Sequence, residues 1–139
     1  MFKVKKGWGA GLLLAIGATF STGSDAHGGA GGPVVSQRFP KALAGIPGKG
    51  ARGPGGEYPP GGADPVHRHD AHGIIYVLEG EILMGVKGGQ TVTLRPGDTF
   101  YESPDDIHTV GRNASDTNSA KFLVVLVKNT GRDAFIPVP

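Results

Sequence analysis

Four histidines in the middle of the chain carry its strongest chemical signal: His67, His69, His72 and His108. His67 and His69 are two positions apart, and on a β-strand residues i and i+2 point to the same face. Two imidazoles on one face can share one metal ion at about 2.0–2.1 Å, and neutral imidazole suits zinc, copper, iron and nickel. The spacing alone is equally that of two solvated loop histidines beside Arg68 and Asp70. Other chemistries drop out. The chain has no cysteine, which excludes thiolate nucleophiles, Cys-ligated zinc, iron–sulfur clusters and disulfides. It has no GxxxxGK[ST] phosphate loop and no GxSxG elbow.

The elements that must position these histidines read as strands. Glycine is 25 and proline 11 of 139 residues, while aromatic residues are only 7%. No window beyond the first 26 residues shows a 3.6-residue apolar period. From Gly73 to Lys87 two aliphatic runs, IIYVL and ILMGVK, flank Glu79-Gly80-Glu81, a hairpin signal. KGGQ (87–90) and RPGD (95–98) read as turns, TVTL (91–94) and TFYE (99–102) as strands, and SPDD (103–106) as a loop. His108 begins a further strand, 112–120 is a polar loop, and KFLVVLVK (121–128) is apolar enough for burial on both faces. AFIPVP closes the chain with a strand that its prolines stop. Asn113-Ala114-Ser115 fits either a polar turn or a glycosylation sequon. Short strands with turn signals every 8–12 residues predict an all-β sandwich or barrel.

The N-terminal part has a different texture. Residues 1–26 read as a signal peptide: Lys3, Lys5 and Lys6, then the apolar run Gly11–Phe20, then Ser24-Asp25-Ala26. That run is too short to span a bilayer, which needs about 20 apolar residues. Cleavage near Ala26 predicts a periplasmic or secreted protein with no membrane association after processing. It leaves 11 basic and 11 acidic residues, so the basic balance belongs to the leader and a nucleic-acid partner loses its electrostatic support. Residues 27–40 read as a glycine-rich flexible segment, and 41–139 as one β-barrel domain. Between His27 and Gly62 there are twelve glycines and six prolines. Val34 to Ile46 predicts short edge strands or a covering loop, and 51–65 predicts turns around one short strand near Glu57-Tyr58. An apolar edge predicts a homodimer.

Two stretches together resemble a known family. PPGGADPVHRHDAHGIIYVLEGEILMGV (59–86) and RPGDTFYESPDDIHTVGRNAS (95–115) are similar to the two sequence motifs of the cupin superfamily. Gly61 or Gly62, His67, His69 and Gly80 fit the first motif. Gly97, Pro104, His108 and Asn113 fit the second, with spacings one residue off the usual ones. The resemblance covers roughly residues 41–136. It implies a small single-domain cupin, a jelly-roll or double-stranded β-helix in which His67, His69 and His108 converge on one divalent metal, whether iron, manganese, zinc, nickel or copper. The family's glutamate ligand falls near position 73 or 74, where this chain has Gly73 and Ile74. Three readings stand open: His72 is a fourth ligand; the metal keeps three histidines and open positions; or Glu102 reaches in from a facing strand.

Cupins host many chemistries, so the function divides into two expectations. The first is a metal-dependent enzyme on a small organic molecule, by dioxygenase-like or by isomerase or lyase chemistry. Tyr76 and Tyr101 are its candidate proton donors. The second is a non-catalytic module that binds or senses a small molecule or a metal.

Overall fold

The computed structural model describes residues 31–139, and the leader read at 1–26 lies outside them. The described residues form ten strands: β1 (Val34–Ala42), β2 (Lys49–Tyr58), β3 (His67–His69), β4 (Ala71–Glu79), β5 (Ile82–Val86), β6 (Val92–Leu94), β7 (Thr99–Glu102), β8 (Ile107–Asn113), β9 (Ala120–Asn129) and β10 (Phe135–Pro137). No helix occurs among them. Two five-stranded antiparallel sheets face each other, in the orders β1-β2-β9-β4-β7 and β10-β3-β8-β5-β6. This is the double-stranded β-helix that the motifs implied.

The pattern of burial shows why these segments pair. From His67 to Val77 odd-numbered residues point inward and even-numbered ones outward, the two-residue period of a strand. The alternation runs unbroken through Asp70, where the chain leaves one sheet for the other. Ile75, Val77, Ile82, Met84, Leu94, Phe122 and Tyr58 fill the space between the sheets, with Phe100 and Val124 packed against them. β9 lies between β2 and β4 and buries Ala120, Phe122 and Leu126. Its alternate residues are only half-buried, so it is not buried on both faces as its composition suggested.

Three expectations need correction. Glu79-Gly80-Glu81 does not close a hairpin: β4 pairs with β7 and β9, whereas β5 pairs with β6 and β8. Gly80, at φ 72°, turns the chain from one sheet into the other, and it packs so closely on Ala120 that a Cβ would lie 2.9 Å away. The stretch read as turns around a short strand is instead the ten-residue strand β2. Gly56 is there for packing, because a Cβ on it would sit 2.3 Å from the Phe122 ring. Finally, β1 begins at Val34 and pairs with β2, so the sheet straddles the boundary drawn at residues 40 and 41. β1 is the edge strand expected of that segment.

Gly56→Ala should therefore lower stability by about 1–3 kcal/mol, the usual cost of overpacking a filled core. Chemical denaturation measures it. No loss would mean that Phe122 does not occupy that space.

The second half of the jelly roll is tied by Asn113, which is fully buried. Its amide nitrogen donates to the carbonyls of Tyr58, Pro59 and Asn118, and its side-chain oxygen accepts from the backbone of Ser115. The amide is consumed by the fold, which favours the polar-turn reading over the sequon.

Candidate metal centre

β3 and β8 are neighbours, with His67 directly opposite His108. The strand period puts His69 on the same inward face, so three imidazoles converge between the sheets. Glu102, the last residue of β7, arrives from the opposite sheet. The four side chains are largely shielded: His67 is 4% exposed, His108 1% and Glu102 2%.

Hydrogen bonds fix the tautomers of two of these rings. His67 Nδ1 donates to the Pro65 carbonyl at 2.8 Å, and His69 Nδ1 donates to the Ala134 carbonyl at 2.9 Å. Each neutral ring then presents a bare lone pair on Nε2, and these two Nε2 atoms are 3.2 Å apart. Two acceptors cannot hydrogen-bond to each other. A proton between them would require an imidazolium, yet burial pushes both rings below the usual histidine range, and for His69 the neighbouring His67 adds to this. A cation held by both would satisfy the two lone pairs.

The other two residues complete the donor set. His69 Nε2 lies 3.5 Å from Glu102 Oε2, and His108 Nδ1 lies 3.4 Å from Glu102 Oε1. Glu102 Oε2 and both ring nitrogens of His108 are buried without a hydrogen-bond partner. Orphaned buried donor atoms are expensive and rare. The ligand atoms of His69, Glu102 and His108 all lie within 4.8 Å of one another. A 3.2 Å separation between nitrogens suits a shared ion at about 2.1 Å with an angle of roughly 100°. His69, Glu102 and His108 therefore fit a divalent transition metal, and His67 Nε2 stands beside them as a fourth candidate donor.

Without a cation the site is tuned to be neutral. Burial, then the charges of Asp64 and Asp106, pushes the Glu102 carboxyl up to about 8. Burial, then His69 and His67, pulls His108 down to about 4. A metal reverses this by favouring the carboxylate and the free imidazoles.

A carboxylate stands close to the position where the resemblance put the missing glutamate. Gly73 on β4 is directly opposite Glu102 on β7. A Cβ on Gly73 would lie 2.5 Å from Glu102 Oε2. The absent side chain leaves the space that the carboxyl group of Glu102 fills from the next strand. Glu102 is thus placed as the third of the readings left open by the sequence requires.

The structure does not bring the other candidates to this site. His72, Tyr76 and Tyr101 lie on the outward face of the β1-β2-β9-β4-β7 sheet, with Tyr76 43% and Tyr101 57% exposed. His72 Nδ1 and the Tyr101 hydroxyl are 2.6 Å apart there. His72 is one position out of phase with His67 and His69, and Tyr76 and Tyr101 alternate with the inward Ile75, Phe100 and Glu102. A fourth-ligand role for His72 and proton donation by the two tyrosines thus lack access to the donor cluster.

A pair that the sequence did not single out lies on the inner side. The Tyr58 hydroxyl donates to Asp64, and the same carboxylate oxygen lies 3.1 Å from where a Cβ on Gly111 would sit. The carboxylate field of Asp64 reaches both His69 and Glu102. A buried tyrosine needing a partner, six residues before an aspartate in GGADPVH, was the only sequence signal for it.

Comparison with known proteins agrees with this architecture. The family model described as Cupin domain matches residues 56–126. No curated protein sequence matches the chain. Among solved structures, the fold is similar to an uncharacterized conserved protein with a double-stranded β-helix domain from Klebsiella pneumoniae, at TM-score 0.61 and 18% identity, covering 80% of this chain and 90% of that one. It is similar to the DMSP lyase DddQ from Ruegeria pomeroyi, at TM-score 0.55 and 23% identity, covering 63% of this chain and 43% of that one. A recombinant oxalate oxidase in complex with glycolate gives TM-score 0.59 and 22% identity, covering 80% and 63%. The chain thus spans less than two thirds of the length of either enzyme. At these identities the likeness is one of fold.

Proposed function

Because the chain belongs to the cupin domain family, we propose that it holds one divalent metal through His67, His69, Glu102 and His108 and acts there on a small organic molecule. The observation that carries this is the facing pair of Nε2 lone pairs beside an orphaned carboxylate oxygen and an orphaned imidazole. A bound ion would supply Lewis acidity or, if redox-active, electron exchange with a bound ligand and oxygen. The chain's own residues do the positioning. Pro65 and Ala134 lock two imidazoles, and β8 presents the third. The similar folds named for a lyase and for an oxidase in complex with glycolate support a small organic substrate, by dioxygenase-like or isomerase or lyase chemistry.

The second reading, a non-catalytic binding or sensing module, gains from one observation: the two tyrosines that would have moved protons face outward. Elemental analysis of the purified protein, followed by oxygen uptake and product detection with small organic acids, separates the readings. One redox-active ion per chain with turnover supports the enzyme. One ion with a retained ligand and no turnover supports the module. A chain without metal under metal-replete conditions contradicts both.

We also propose that the protein is exported and dimeric. The leader motif predicts that intact mass of the exported product starts at or near His27; a product keeping Lys3 to Phe20 would overturn export. Ile74, Tyr76, Leu78 and Tyr101 form an apolar outer face on neighbouring strands, and Val34 and Val35 are exposed on the edge strand. A second copy covers this surface. Tyr101→Asp should convert the dimer to monomer by light scattering, with metal content unchanged. A wild-type monomer at micromolar concentration removes the dimer, and lost metal in the variant removes the outward placement of Tyr101.

A further inference from the structure

The connection at residues 130–134 runs from β9 in one sheet to β10 in the other. Its Ala134 carbonyl is the group that holds His69. Beside it opens a cleft of about 480 Å³ bordered by Lys41, Arg52, Lys128, Thr130, Arg132 and Asp133. Lys128 is the unusual member. It stands on β9 in phase with the inward Phe122 and Leu126 and is only 6% exposed. Among the described residues its ammonium donates only to the Asn129 carbonyl, at 2.9 Å, and no carboxylate comes within ion-pair distance. Lysine is almost never fully buried without a counter-charge.

The neighbouring backbone keeps the cleft open around this charge. Lys128 is paired with Gly50 on one side and Ala71 on the other, both small. A Cβ on Gly50 would come within 3.3 Å of the Lys41 carbonyl and of Thr130. Arg52 is opposite Leu126 and shares its inward face. Of the two acidic groups nearby, Asp70 is already engaged by Arg132 at 3.5 Å, and Asp133 sits on the rim. With Arg132 engaged by Asp70, Lys41 and Lys128 face the single carboxylate of Asp133 at the cleft, a balance that suits a monoanion.

We propose that this cleft is an anion subsite that takes the carboxylate of a small organic acid, with Lys128 as its anchor. Its role as a substrate anchor rests on the proposed metal reading; the anion site itself does not. Ala71, opposite Lys128, is two residues from His69 and two from Gly73, which is opposite Glu102. Two residues of strand advance about 7 Å. Lys128 is therefore one inward-facing strand step from the residues that carry the metal donors.

The test is an amide NMR titration of the full, zinc-loaded chain with acetate, and separately with inorganic phosphate. Saturable acetate shifts should centre on residues 128–133. Lys128→Met should weaken acetate at least tenfold, and Lys128→Arg should keep it within a few-fold, with equal zinc content in all three proteins. Phosphate should bind more weakly than acetate. Shifts centred on His67, His69 and His108 and unaffected by Lys128→Met would place the anion on the metal and overturn the proposal. So would absence of saturation, or tighter binding of phosphate. Should Lys128→Met not fold, the wild-type shift map and Lys128→Arg decide. A chain that takes no zinc yet still binds acetate at residues 128–133 sinks the metal reading and leaves the anion site standing.

Discussion

Replacing both His67 and His69 with alanine is expected to abolish stoichiometric metal while the barrel survives. These residues supply two of the four donors and both of the lone pairs that backbone hydrogen bonds aim at one point. His108 and Glu102 remain, too few to hold a divalent ion against water. The fold persists because its core is Ile75, Val77, Ile82, Met84, Leu94 and Phe122, none of them donors. Stability should fall only by the lost linkage to the ion, about 3–4 kcal/mol at 100–1,000 times Kd. Elemental analysis and circular dichroism check the two halves. A double variant with full metal content would show the site to be elsewhere.

Glu102→Gln should lower metal affinity by on the order of 100-fold or more, since even residues that merely support a ligand cost about 10–100-fold. The partner test uses geometry. Gly73→Glu alone introduces a side chain into space that Glu102 fills, with a Cβ 2.5 Å from Oε2, and should destabilise the chain. Gly73→Glu combined with Glu102→Gly moves the carboxylate to the strand where the family carries it and should restore much of the affinity. An affinity indifferent to Glu102 would leave the three-histidine reading.

The same residue sets the pH dependence. Metal requires the carboxylate, and the Glu102 carboxyl is pushed up to about 8, so uptake at pH 7 should release about one proton. Apparent affinity should rise about tenfold per pH unit up to that point and then level. In the metal-free protein the signs oppose. Glu102 holds its proton more tightly when folded than at its ordinary 4.5, so its contribution is lost as pH rises from there through about 8. His108 resists protonation when folded, so its contribution is lost as pH falls from 6.5 through about 4. The two ranges overlap from 4.5 to 6.5, where the opposing slopes nearly cancel, so stability of the stripped chain should show a broad maximum there, in mildly acidic solution.

Much of this site was legible because strand alternation is strict. Once His67 and His69 point inward, Ala71, Gly73, Ile75 and Val77 follow, and His72 and Tyr76 must face out. Tyr101 follows from the inward Phe100 and Glu102 in the same way. What one sequence does not carry is which strands meet. The identity of the carboxylate depends on the register that sets Gly73 against Glu102, a contact between residues far apart in the chain. The aliphatic runs flanking Gly80 look like a hairpin because pairing and sheet-crossing use the same turn residues. β2 was obscured by composition, because its Gly56 meets the Phe122 ring rather than a turn. Lys128 and Asp64 were hidden for the same reason as Glu102: their roles come from neighbours across the sheets.

X-ray absorption at the metal edge of the loaded chain tests the central claim most directly. One ion per chain is expected, with three imidazoles and a carboxylate oxygen in its shell, and with that oxygen contribution lost or altered in Glu102→Gln. A shell with fewer than two imidazoles, or one identical in wild type and Glu102→Gln, would contradict it.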